Sequence, residues 1–457
     1  MTKTGKKYRF GSKNEIGDNV MNIILLSGGS GKRLWPLSND VRSKQFLKIF
    51  RKADGTKESM AMRMYRMIKE IDPNSFITIA TSENQIPQIK AQLGEQVGIS
   101  VEPTRKDTFP AIALAAAYLK KEGIGADESV VVCPVDPYVD IDYFECLKEL
   151  SDEAGNANLT LMGIEPTYPS EKYGYIIPTS KNHISSVSEF KEKPDEETAK
   201  RYIKAGALWN GGVFAFKLSY VLDIAISLFG TDDYNKLFDK YGELQKISFD
   251  YAVVEKEKSI NVVRFGGSWK DLGTWNTLTE AMDEYIAGNA IANGCENTHI
   301  INELQIPVIT LGLKDCVVAA TPDGILVSDK ERSPDLKSFV SDARPMYERR
   351  SWGEYKVLDY KIHQDKNNSL VKELILTPGQ HISYQRHSHR TEVWTFTEGT
   401  GELIINGEIK KVHRGDVAVI KVGVKHAIKS ITELHIIEVQ IGDELTEDDI
   451  ERLNWDW

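Results

Sequence analysis

A glycine-rich segment near the start of the chain has the residue types of a phosphate-binding loop. The apolar run NIILLS is followed by three glycines and two cations: Gly28, Gly29, Gly31, Lys32 and Arg33. Glycines directly after a buried strand let the backbone approach a phosphate and point its N–H groups at the anion, and basic side chains add positive charge. The spacing matches neither the dinucleotide fingerprint GxGxxG nor the GxxxxGK[ST] loop. The segment therefore predicts a triphosphate site of another kind.

A further cation lies close to this loop. Lys44 follows within the next dozen residues and can neutralise phosphate charge near the same strand end. For the loop taken alone, the alternative is a glycine turn with solvated basic residues, which is common after strands. The additional lysine favours phosphate binding over that alternative.

The loop belongs to the first unit of a regular alternation of strands and helices. From Asn22 to about residue 285, short apolar runs such as FITIAT and SVVVCPVDP alternate with helical patterns such as PAIALAAAYLKK. This alternation predicts an α/β, Rossmann-like domain with a mixed, mostly parallel sheet. Short β-like pieces follow, and after Arg350 come the closely spaced strands and glycine turns that are typical of an all-β barrel.

Length and composition agree with several domains. The 457 residues exceed what one hydrophobic core usually organises, and 41% apolar with 27% charged residues is ordinary globular composition. We expect a flexible N-terminal extension over 1–20, the α/β domain over 21–285, a short β-rich connecting module over 286–345 and the barrel over 346–457.

Charge and cysteine usage exclude several classes of protein. A formal net charge of −10 argues against nucleic acid or an anionic membrane as the main partner, since both select basic surfaces. No apolar run reaches membrane-spanning length, and the first twenty residues do not have the pattern of a signal peptide. The four cysteines lack CxxC spacing and predict neither a zinc site nor a disulfide framework. We expect a cytoplasmic protein.

Motifs downstream of the loop match one family in order and spacing. They are SKQFL (43–47), EPTRKDTFPAIALAA (102–116), CPVDPYVD (133–140), EKYGYI (171–176), FKEKPD (190–195), WNGGVFAFK (209–217), SFDYAVVEK (248–256) and WKDLGTW (269–275). The chain resembles the mannose-1-phosphate guanylyltransferase family of sugar nucleotidyltransferases, which open with a GGxGxRLWPLS loop and a PKQFL segment. The resemblance implies attack of a sugar 1-phosphate on the α-phosphorus of a nucleoside triphosphate, with release of pyrophosphate.

Such a reaction requires alignment of two anions and neutralisation of charge, for which cations and a carboxylate-bound Mg²⁺ are suited. The resemblance implies that Arg33 and Lys44 contact the triphosphate and that the loop glycines supply backbone donors. Asp136 ends an apolar strand, where the strands of open α/β sheets meet their ligands, and is the first expected Mg²⁺ ligand. Asp271 is the second. The alternative for each aspartate is a turn or helix cap.

The same resemblance implies the remaining contacts. Arg105 and Asp107 approach the base and ribose. The residues expected at the sugar phosphate are Gly174, Glu192, Lys193 and Asn210. Of these, Lys193 pairs with the phosphate charge and counts among the catalytic residues, while Glu192 and Asn210 bind hydroxyl groups.

The last third of the chain holds seven of the nine histidines. The segments at 378–402 and 415–428 resemble the two cupin motifs, and this resemblance implies that the barrel is a cupin. Because alternate residues of a strand share a face, Gln385 and His387 can converge with Glu392 and His426 inside it. These donors suit a divalent metal such as Zn²⁺, Mn²⁺, Fe²⁺ or Ni²⁺, and His389 is an alternative ligand. Histidines that merely line a polar interior are the other interpretation.

Together with RSWGEYKVLD (350–359), this region resembles the isomerase part of bifunctional mannose-6-phosphate isomerase/guanylyltransferase enzymes, which carry RPWGxY and QxHxHRxEHW. Ser351 replaces the proline of the first motif, and Val393 replaces the histidine after the glutamate. Isomerase activity is therefore left open, although the four expected ligands survive. In the guanylyltransferase part, Ser43 stands where the family usually has proline.

The leading hypothesis is synthesis of GDP-mannose from GTP and mannose 1-phosphate. One alternative keeps the chemistry with another base or sugar and a cupin used for structure or assembly. Another is a binding or regulatory module without turnover. The presence of all five residues expected to be catalytic disfavours it; they are Arg33, Lys44, Asp136, Lys193 and Asp271. The connecting module and the barrel edges offer surfaces for a homodimer.

Overall fold

The computed structural model describes residues 20–29, 31–39, 41–340, 345–365, 367–455 and 457. The predicted extension over 1–20 lies outside these residues, apart from Val20. In the described part, no helix is long and apolar enough to cross a membrane. The predicted α/β domain and the all-β barrel are both present.

The α/β part contains thirteen described strands and eight α-helices. Its strands are β1 (Asn22–Leu26), β2 (Phe50–Arg51), β3 (Lys57–Glu58), β4 (Phe76–Ser82), β5 (Gly98–Glu102), β6 (Ser129–Pro134), β7 (Pro137–Val139), β8 (Leu159–Ile164), β9 (Tyr175–Pro178), β10 (Ile184–Lys191), β11 (Leu208–Lys217), β12 (Ile260–Phe265) and β13 (Trp269–Asp271). Its helices are α1 (Met60–Ile71), α2 (Ile86–Leu93), α3 (Thr108–Lys121), α4 (Ile141–Glu153), α5 (Glu196–Lys204), α6 (Leu218–Phe229), α7 (Tyr234–Asp239) and α8 (Trp275–Glu280).

Nine strands form the main sheet in the order β5-β4-β1-β6-β11-β8-β12-β10-β9. The first four pair in parallel, as do β8 and β12, whereas the other pairs are antiparallel. The antiparallel share is larger than the sequence analysis predicts, because apolar periodicity reports burial and not strand direction. Strand β9 also pairs with β11, which closes the last five strands into a barrel.

The sheet is covered on both faces, and β1 shows why its sequence is continuously apolar. Ile23 and Leu25 pack on one side with residues of α1 and α4, whereas Ile24 packs on the other with residues of α3 and α6. Successive side chains of a strand point to opposite faces, so a strand buried on both faces has no polar side. The sheet is thereby a rigid platform for the loops at its carboxyl edge.

The connecting module consists of β14 (Ile286–Gly288), β15 (Ala290–Asn293), β16 (His299–Asn302), β17 (Val308–Leu311), β18 (Cys316–Thr321) and β19 (Gly324–Asp329). Strands β14, β16 and β18 pair in parallel, as do β15 and β17, and β19 returns antiparallel to β18. This β-rich structure is what the sequence predicts.

The module binds the segment that follows the glycine loop. Thr321 Oγ1 donates a hydrogen bond to the Pro36 carbonyl at 3.1 Å. Asn39 Nδ2 donates to Asp323 Oδ2 at 2.7 Å. Asp323 Oδ1 also accepts from the Met346 backbone N–H at 2.6 Å, at the start of the barrel region. One side chain of the module is therefore bonded to both larger parts of the molecule.

The barrel consists of two facing sheets. Its strands are β20 (Tyr347–Arg350), β21 (Gly353–Lys361), β22 (Asn368–Leu376), β23 (His381–Arg386), β24 (Arg390–Glu398), β25 (Thr400–Ile405), β26 (Glu408–His413), β27 (Val417–Ile420), β28 (His426–Ser430), β29 (Leu434–Gly442) and β30 (Glu451–Arg452). One sheet has the order β20-β21-β22-β29-β24-β27 and the other β26-β25-β28-β23-β30. An apolar core that includes Trp394 and Phe396 lies between them.

Candidate functional site

Strand pairing brings together the two aspartates that the sequence predicts as metal ligands. Strand β13 pairs with β7 so that Asp271 lies opposite Pro137, the neighbour of Asp136. Lys44 lies between the two carboxylates. Its Nζ is 2.7 Å from Asp136 Oδ2 and 3.9 Å from Asp271 Oδ1. Three residues from distant parts of the chain thus form one cluster.

The electrostatics of this cluster suit a divalent cation. Burial raises the pKa of Asp271, and the neighbouring charge of Asp136 raises it further, whereas Lys44 and Arg33 act in the opposite direction. Added positive charge stabilises a carboxylate such as Asp271, whose ionisation is opposed by burial and by a neighbouring carboxylate. Carboxylate oxygens are the preferred protein ligands of Mg²⁺, so the donor set fits such an ion.

The glycine loop adopts a conformation that requires glycine at Gly31. Its φ is 61°, and a Cβ there would lie 2.7 Å from Ser38 Oγ. Ser38 Oγ in turn donates a hydrogen bond to the Gly31 carbonyl at 2.5 Å. Gly31 precedes a short 3₁₀ turn, Lys32–Leu34, on which the exposed Arg33 is carried. The loop is therefore held by its own contacts before any ligand binds.

The turn that carries Lys44 is held by a buried polar network that the sequence analysis missed. Gln85 Oε1 accepts hydrogen bonds from Ser27 Oγ at 3.0 Å and from Thr81 Oγ1 at 2.6 Å. Gln85 Nε2 donates to Ser43 Oγ at 2.7 Å. The serine that replaces the family's proline thus supplies an acceptor to this network. Nothing in the sequence marks Gln85, because its role depends on three side chains from other elements.

A cavity of about 200 Å³ lies beside the two aspartates. Its lining includes Asp136, Asp271 and Asn210, together with the aromatic rings of Tyr173 and Trp269. Asn210 is one of the predicted sugar-phosphate residues, so the structure places it next to the predicted metal ligands. An aromatic wall beside polar groups is suited to binding a sugar ring.

The other predicted sugar-phosphate residues form a linked group around Asn210. The Asn210 backbone N–H donates to the Gly174 carbonyl at 2.8 Å, and Asn210 Nδ2 donates to Asp250 Oδ1 at 2.7 Å. Lys193 Nζ lies 2.6 Å from Glu192 Oε1. A Cβ on Gly174 would lie 2.6 Å from Glu192 Oε2, so only glycine leaves this approach open.

Asp250 is a member of this group that the sequence analysis did not single out, although its motif was recognised. Burial raises its pKa to about 6, and the charge of Glu192 adds to the effect. For Lys193, burial opposes the charged form, but the hydrogen bond and charge of Glu192 outweigh it and raise the pKa. Lys193 therefore stays cationic within this group.

A larger cavity of about 1360 Å³ begins at the glycine loop. Gly28, Gly29, Arg105 and Asp107 all contribute to its lining, so the structure unites the loop with the residues predicted near the base and ribose. Asp107 also caps α3, since its Oδ1 accepts from the Thr108 backbone N–H at 2.8 Å. The two cavities lie beside the carboxyl ends of β1 and β6, which pair in parallel.

A second cluster lies inside the barrel, where three of the four predicted ligands face one another. One ligand atom each from His387, Glu392 and His426 lies within 4.8 Å of the others. Gln385 is buried and lies opposite His426 in the pairing of β23 with β28. The structure places His389, the alternative ligand, away from this group, because its Nδ1 lies 3.3 Å from Asp443 Oδ1 on an exposed side.

The orientation of both rings suits a metal ion. His387 Nδ1 lies 3.1 Å from the Asp449 carbonyl, and His426 Nδ1 lies 3.1 Å from the Val424 carbonyl. A proton on each Nδ1 leaves each Nε2 with a lone pair on the side of Glu392, although His387 Nε2 also lies 3.5 Å from an Arg390 guanidinium nitrogen. Within the described part of the chain, His426 Nε2 and Glu392 Oε2 are buried without a hydrogen-bond partner. Such unsatisfied atoms fit a bound divalent ion.

Arg390 compensates the glutamate of this cluster. Its Nε donates to Glu392 Oε1 at 2.9 Å, and both side chains are almost fully buried. Burial alone would raise the pKa of Glu392, but the adjacent His426 and His387 rings and Arg390 together lower it. Burial also lowers the pKa of His387, which favours the neutral ring that binds metals.

The structure shows what the departures from the isomerase motif change. Val393 lies on β24 between the buried Glu392 and the buried Trp394, and its side chain is on the opposite face of the strand. It is therefore directed away from the barrel interior that holds the cluster. Ser351 lies in the turn after β20 and lines the larger cavity.

Comparison with known proteins identifies relatives over nearly the whole chain. A family model described as nucleotidyl transferase matches residues 22–288, and one described as mannose-6-phosphate isomerase C-terminal matches residues 342–455. A mannose-1-phosphate guanylyltransferase from Salmonella montevideo is 31% identical over 94% of this chain and 98% of its own length. The xanthan biosynthesis protein XanB of Xanthomonas campestris pv. campestris (strain B100) is also 31% identical, over 94% of this chain and 97% of its own.

A solved structure agrees with these matches. That of a mannose-1-phosphate geranyltransferase from Thermus thermophilus is 27% identical, with a TM-score of 0.59, and the match covers 70% of this chain and 98% of that one. Proteins with these two kinds of domain generally use divalent metals. The relatives indicate a nucleoside triphosphate and a sugar 1-phosphate as substrates.

Proposed function

Because the chain belongs to the mannose-1-phosphate guanylyltransferase family, we propose that it makes GDP-mannose from GTP and mannose 1-phosphate, with release of pyrophosphate. The observation that carries this proposal is the meeting of Lys44, Asp136 and Asp271 at the edge of the small cavity. A cation and two carboxylates at that point supply what phosphoryl transfer requires of a protein.

On the nucleotide side, the loop residues bind and orient the triphosphate. Gly28 and Gly29 line the larger cavity, where their backbone N–H groups would bind phosphate oxygens, and the side chains of Lys44 and Arg33 neutralise phosphate charge. Asp136 and Asp271 would hold Mg²⁺, which when bound supplies further charge neutralisation during transfer.

On the sugar side, Lys193 neutralises the attacking phosphate, while Glu192 and Asn210 bind hydroxyl groups. Glu192 Oε2 has no hydrogen-bond partner among the described residues and is available to accept from a sugar. Asp250 accepts from Asn210 Nδ2 and so fixes which way that amide points. Holding both anions in one orientation is itself a large part of the rate enhancement.

For the barrel, the proposal assigns a divalent transition metal to His387, Glu392 and His426, with Gln385 as the fourth ligand. Isomerisation of mannose 6-phosphate is the second candidate function, which this donor set favours. The three clustered side chains are at most 2% exposed, and residues of the segment after Leu445 lie against them. A substrate that binds the metal therefore requires movement of residues that bury this cluster.

The main proposal is tested by incubating the protein with each nucleoside triphosphate against a panel of sugar 1-phosphates and measuring pyrophosphate. GTP with mannose 1-phosphate is expected to give the highest kcat/KM. A clear preference for another pair of substrates would support nucleotidyl transfer but refute GTP and mannose 1-phosphate as the substrates. If no pair releases pyrophosphate, the whole proposal is refuted. Conversion of mannose 6-phosphate to fructose 6-phosphate tests the second function.

The same proposal places the enzyme in the cytoplasm, with neither nucleic acid nor a membrane among its partners. Homodimerisation through the connecting module or the barrel edges stays a prediction, as do the domain boundaries at 21–285, 286–345 and 346–457.

A further inference from the structure

The larger cavity takes part of its lining from the barrel region. Besides the glycine loop, the residues around it include Glu348, Arg349, Arg350 and Ser351 from β20 and the following turn, and Arg452 from β30. These residues lie within the segment that matches the isomerase family model, not the nucleotidyl transferase model. The pocket that begins at the triphosphate loop is therefore built by both halves of the chain.

The arginines that line this side of the cavity differ in whether an acidic side chain neutralises them. Arg350 is compensated, because its guanidinium lies 2.7 Å from Glu348 and 3.7 Å from Glu447. Arg349 and Arg452 are exposed, and neither forms an ion pair with another residue in the described part of the chain. Both guanidinium groups are thus available to a ligand in the cavity.

These two side chains also determine the net charge of the residues that line the cavity. Its lining has six cationic and four acidic side chains, and without Arg349 and Arg452 four of each would remain. The chain as a whole carries a formal charge of −10. An excess of positive charge in one cavity of an acidic protein indicates an anionic ligand.

The two arginines are carried by ordered elements. In the backbone pairing of β20 with β21, Arg349 lies opposite Glu354. In the pairing of β30 with β23, Arg452 lies opposite Gln385. Strands hold their side chains more firmly than loops do, so little order has to be gained when a ligand binds.

We infer that Arg349 and Arg452 bind the phosphate groups of the nucleoside triphosphate, so that the barrel completes the nucleotide site of the same chain. This inference rests on the proposed function, since it takes the occupant of the cavity to be a triphosphate. Guanidinium groups form strong paired hydrogen bonds with phosphate oxygens, which an unpaired arginine at a cavity wall is suited to provide.

The test compares the full-length wild-type chain with an Arg349→Ala, Arg452→Ala double variant. Binding of GTP and of GMP is measured by calorimetry with Mg²⁺ and without sugar phosphate, and KM values are measured for GTP and mannose 1-phosphate. The double variant is expected to bind GTP about 30-fold to 100-fold more weakly, at about tenfold for each lost charged contact. GMP binding falls by about threefold or less because fewer phosphate charges are present, and KM for mannose 1-phosphate is unchanged.

Two further variants serve as controls. Arg414→Ala removes an exposed cation of the barrel that does not line the cavity and is expected to leave GTP binding unchanged. Arg349→Lys with Arg452→Lys keeps the charge and is expected to recover part of the affinity. Recovery by lysine supports a charge contact over a loss of packing.

The failures are distinguishable. If the wild-type chain neither binds nor turns over any nucleoside triphosphate, the proposed function is overturned. If it is active and the double variant binds GTP as the wild type does, only the inference is overturned. Equal weakening of GTP and GMP binding would overturn the inference, because the lost contacts would then not depend on the phosphate groups that only GTP carries.

Discussion

Two clusters of charged residues differ in their exposure to solvent. The transferase cluster is Lys44, Asp136 and Asp271, and the barrel cluster is His387, Glu392 and His426 with Arg390 beside them. Beside the small cavity, Lys44 faces two carboxylates whose side chains are 35% and 47% exposed, those of Asp136 and Asp271. In the barrel, Arg390 faces Glu392, and both side chains are 3% exposed or less. Each cluster pairs a cation with carboxylates, but only the carboxylates of the first are exposed to solvent.

This difference in exposure separates what the two clusters do for the protein. Exposed ion pairs contribute little to stability, so the charges of the first cluster are available for binding and catalysis. A buried charge that loses its partner costs several kcal/mol, so the second cluster is coupled to the stability of the barrel. Substitutions should therefore affect turnover at the first cluster and stability at the second.

The largest expected effect is that of Asp136→Asn on turnover. The amide keeps the shape of the side chain but removes the charge that faces Lys44 and that would hold Mg²⁺. We expect kcat to fall by about 10³-fold, the loss typical when one preorganised electrostatic group is removed. The melting temperature should stay within about 2 °C of the wild type, because the carboxylate is partly exposed. Wild-type rates in this variant would show that the metal assignment is wrong.

For Glu392→Gln in the barrel, we expect a loss of stability with little change in guanylyltransferase turnover. The substitution removes one of the two carboxylates beside Arg390 and leaves only Asp449, whose Oδ2 lies 3.5 Å from the guanidinium. Because a buried charge-assisted hydrogen bond is weakened, the barrel should be destabilised by about 1.5 to 3 kcal/mol. Thermal unfolding should show the loss, and metal analysis should show less bound transition metal. Guanylyltransferase kcat at low temperature should be almost unchanged.

A matched control sharpens this comparison. His389→Ala alters an exposed histidine of the same region and is expected to keep both the metal and the melting temperature. Equal metal loss in the His389→Ala and Glu392→Gln variants would contradict the cluster as assigned.

An intermediate effect is expected where the connecting module supports the transferase cluster. Asp323→Ala removes the acceptor for Asn39 Nδ2 and for the Met346 backbone N–H. The loop between Arg33 and Lys44 then loses one of its attachments, and we expect kcat/KM to fall by about tenfold through poorer positioning. Glu331→Ala, at an exposed position of the same module, should have no effect. If both variants behave alike, the module does not position the loop.

The smallest effect is a pH dependence at Asp250. Its folded pKa of about 6 lies above the ordinary 3.8, so the unfolded chain releases its proton first as the pH rises. Burying the resulting charge costs stability progressively between about pH 4 and pH 6, and the full cost is present above that range. Asp250→Asn should therefore be stabilised relative to wild type by about 1 to 3 kcal/mol near pH 8 and by much less near pH 4.5.

The check is the difference in melting temperature between variant and wild type at the two pH values. A difference that is the same at both pH values would mean that burial does not raise the pKa of Asp250.

Much of the molecule could be predicted from local patterns. The alternation of apolar runs and helices predicts the α/β domain because a sheet covered on both faces has strands without a polar side, as β1 shows. The glycines of the loop were identified because their conformational freedom is visible in the residue type itself. The residue spacing of the cupin motifs likewise predicted that His387, Glu392 and His426 would meet.

Other features could not be read from the chain. Asp250 and Gln85 are ordinary polar residues in sequence, and each acquires its role from hydrogen-bond partners on other elements. The antiparallel direction of β11 within the main sheet is likewise invisible, since strands of either direction show the same alternation. The sequence pattern around Arg349 and Arg452 did not indicate a binding role, because that role depends on the cavity that both residues line in the folded chain.

The sequence by itself determined which residue types could bind phosphate, hold a metal and form each kind of domain, because those properties are chemical and local. Only the tertiary structure decided which of them act together. Lys44 meets Asp136 and Asp271 because β7 and β13 pair, and the barrel region reaches the larger cavity because residues of β20 and β30 line it. Such contacts depend on how distant segments pack, and no local pattern in the chain records that packing.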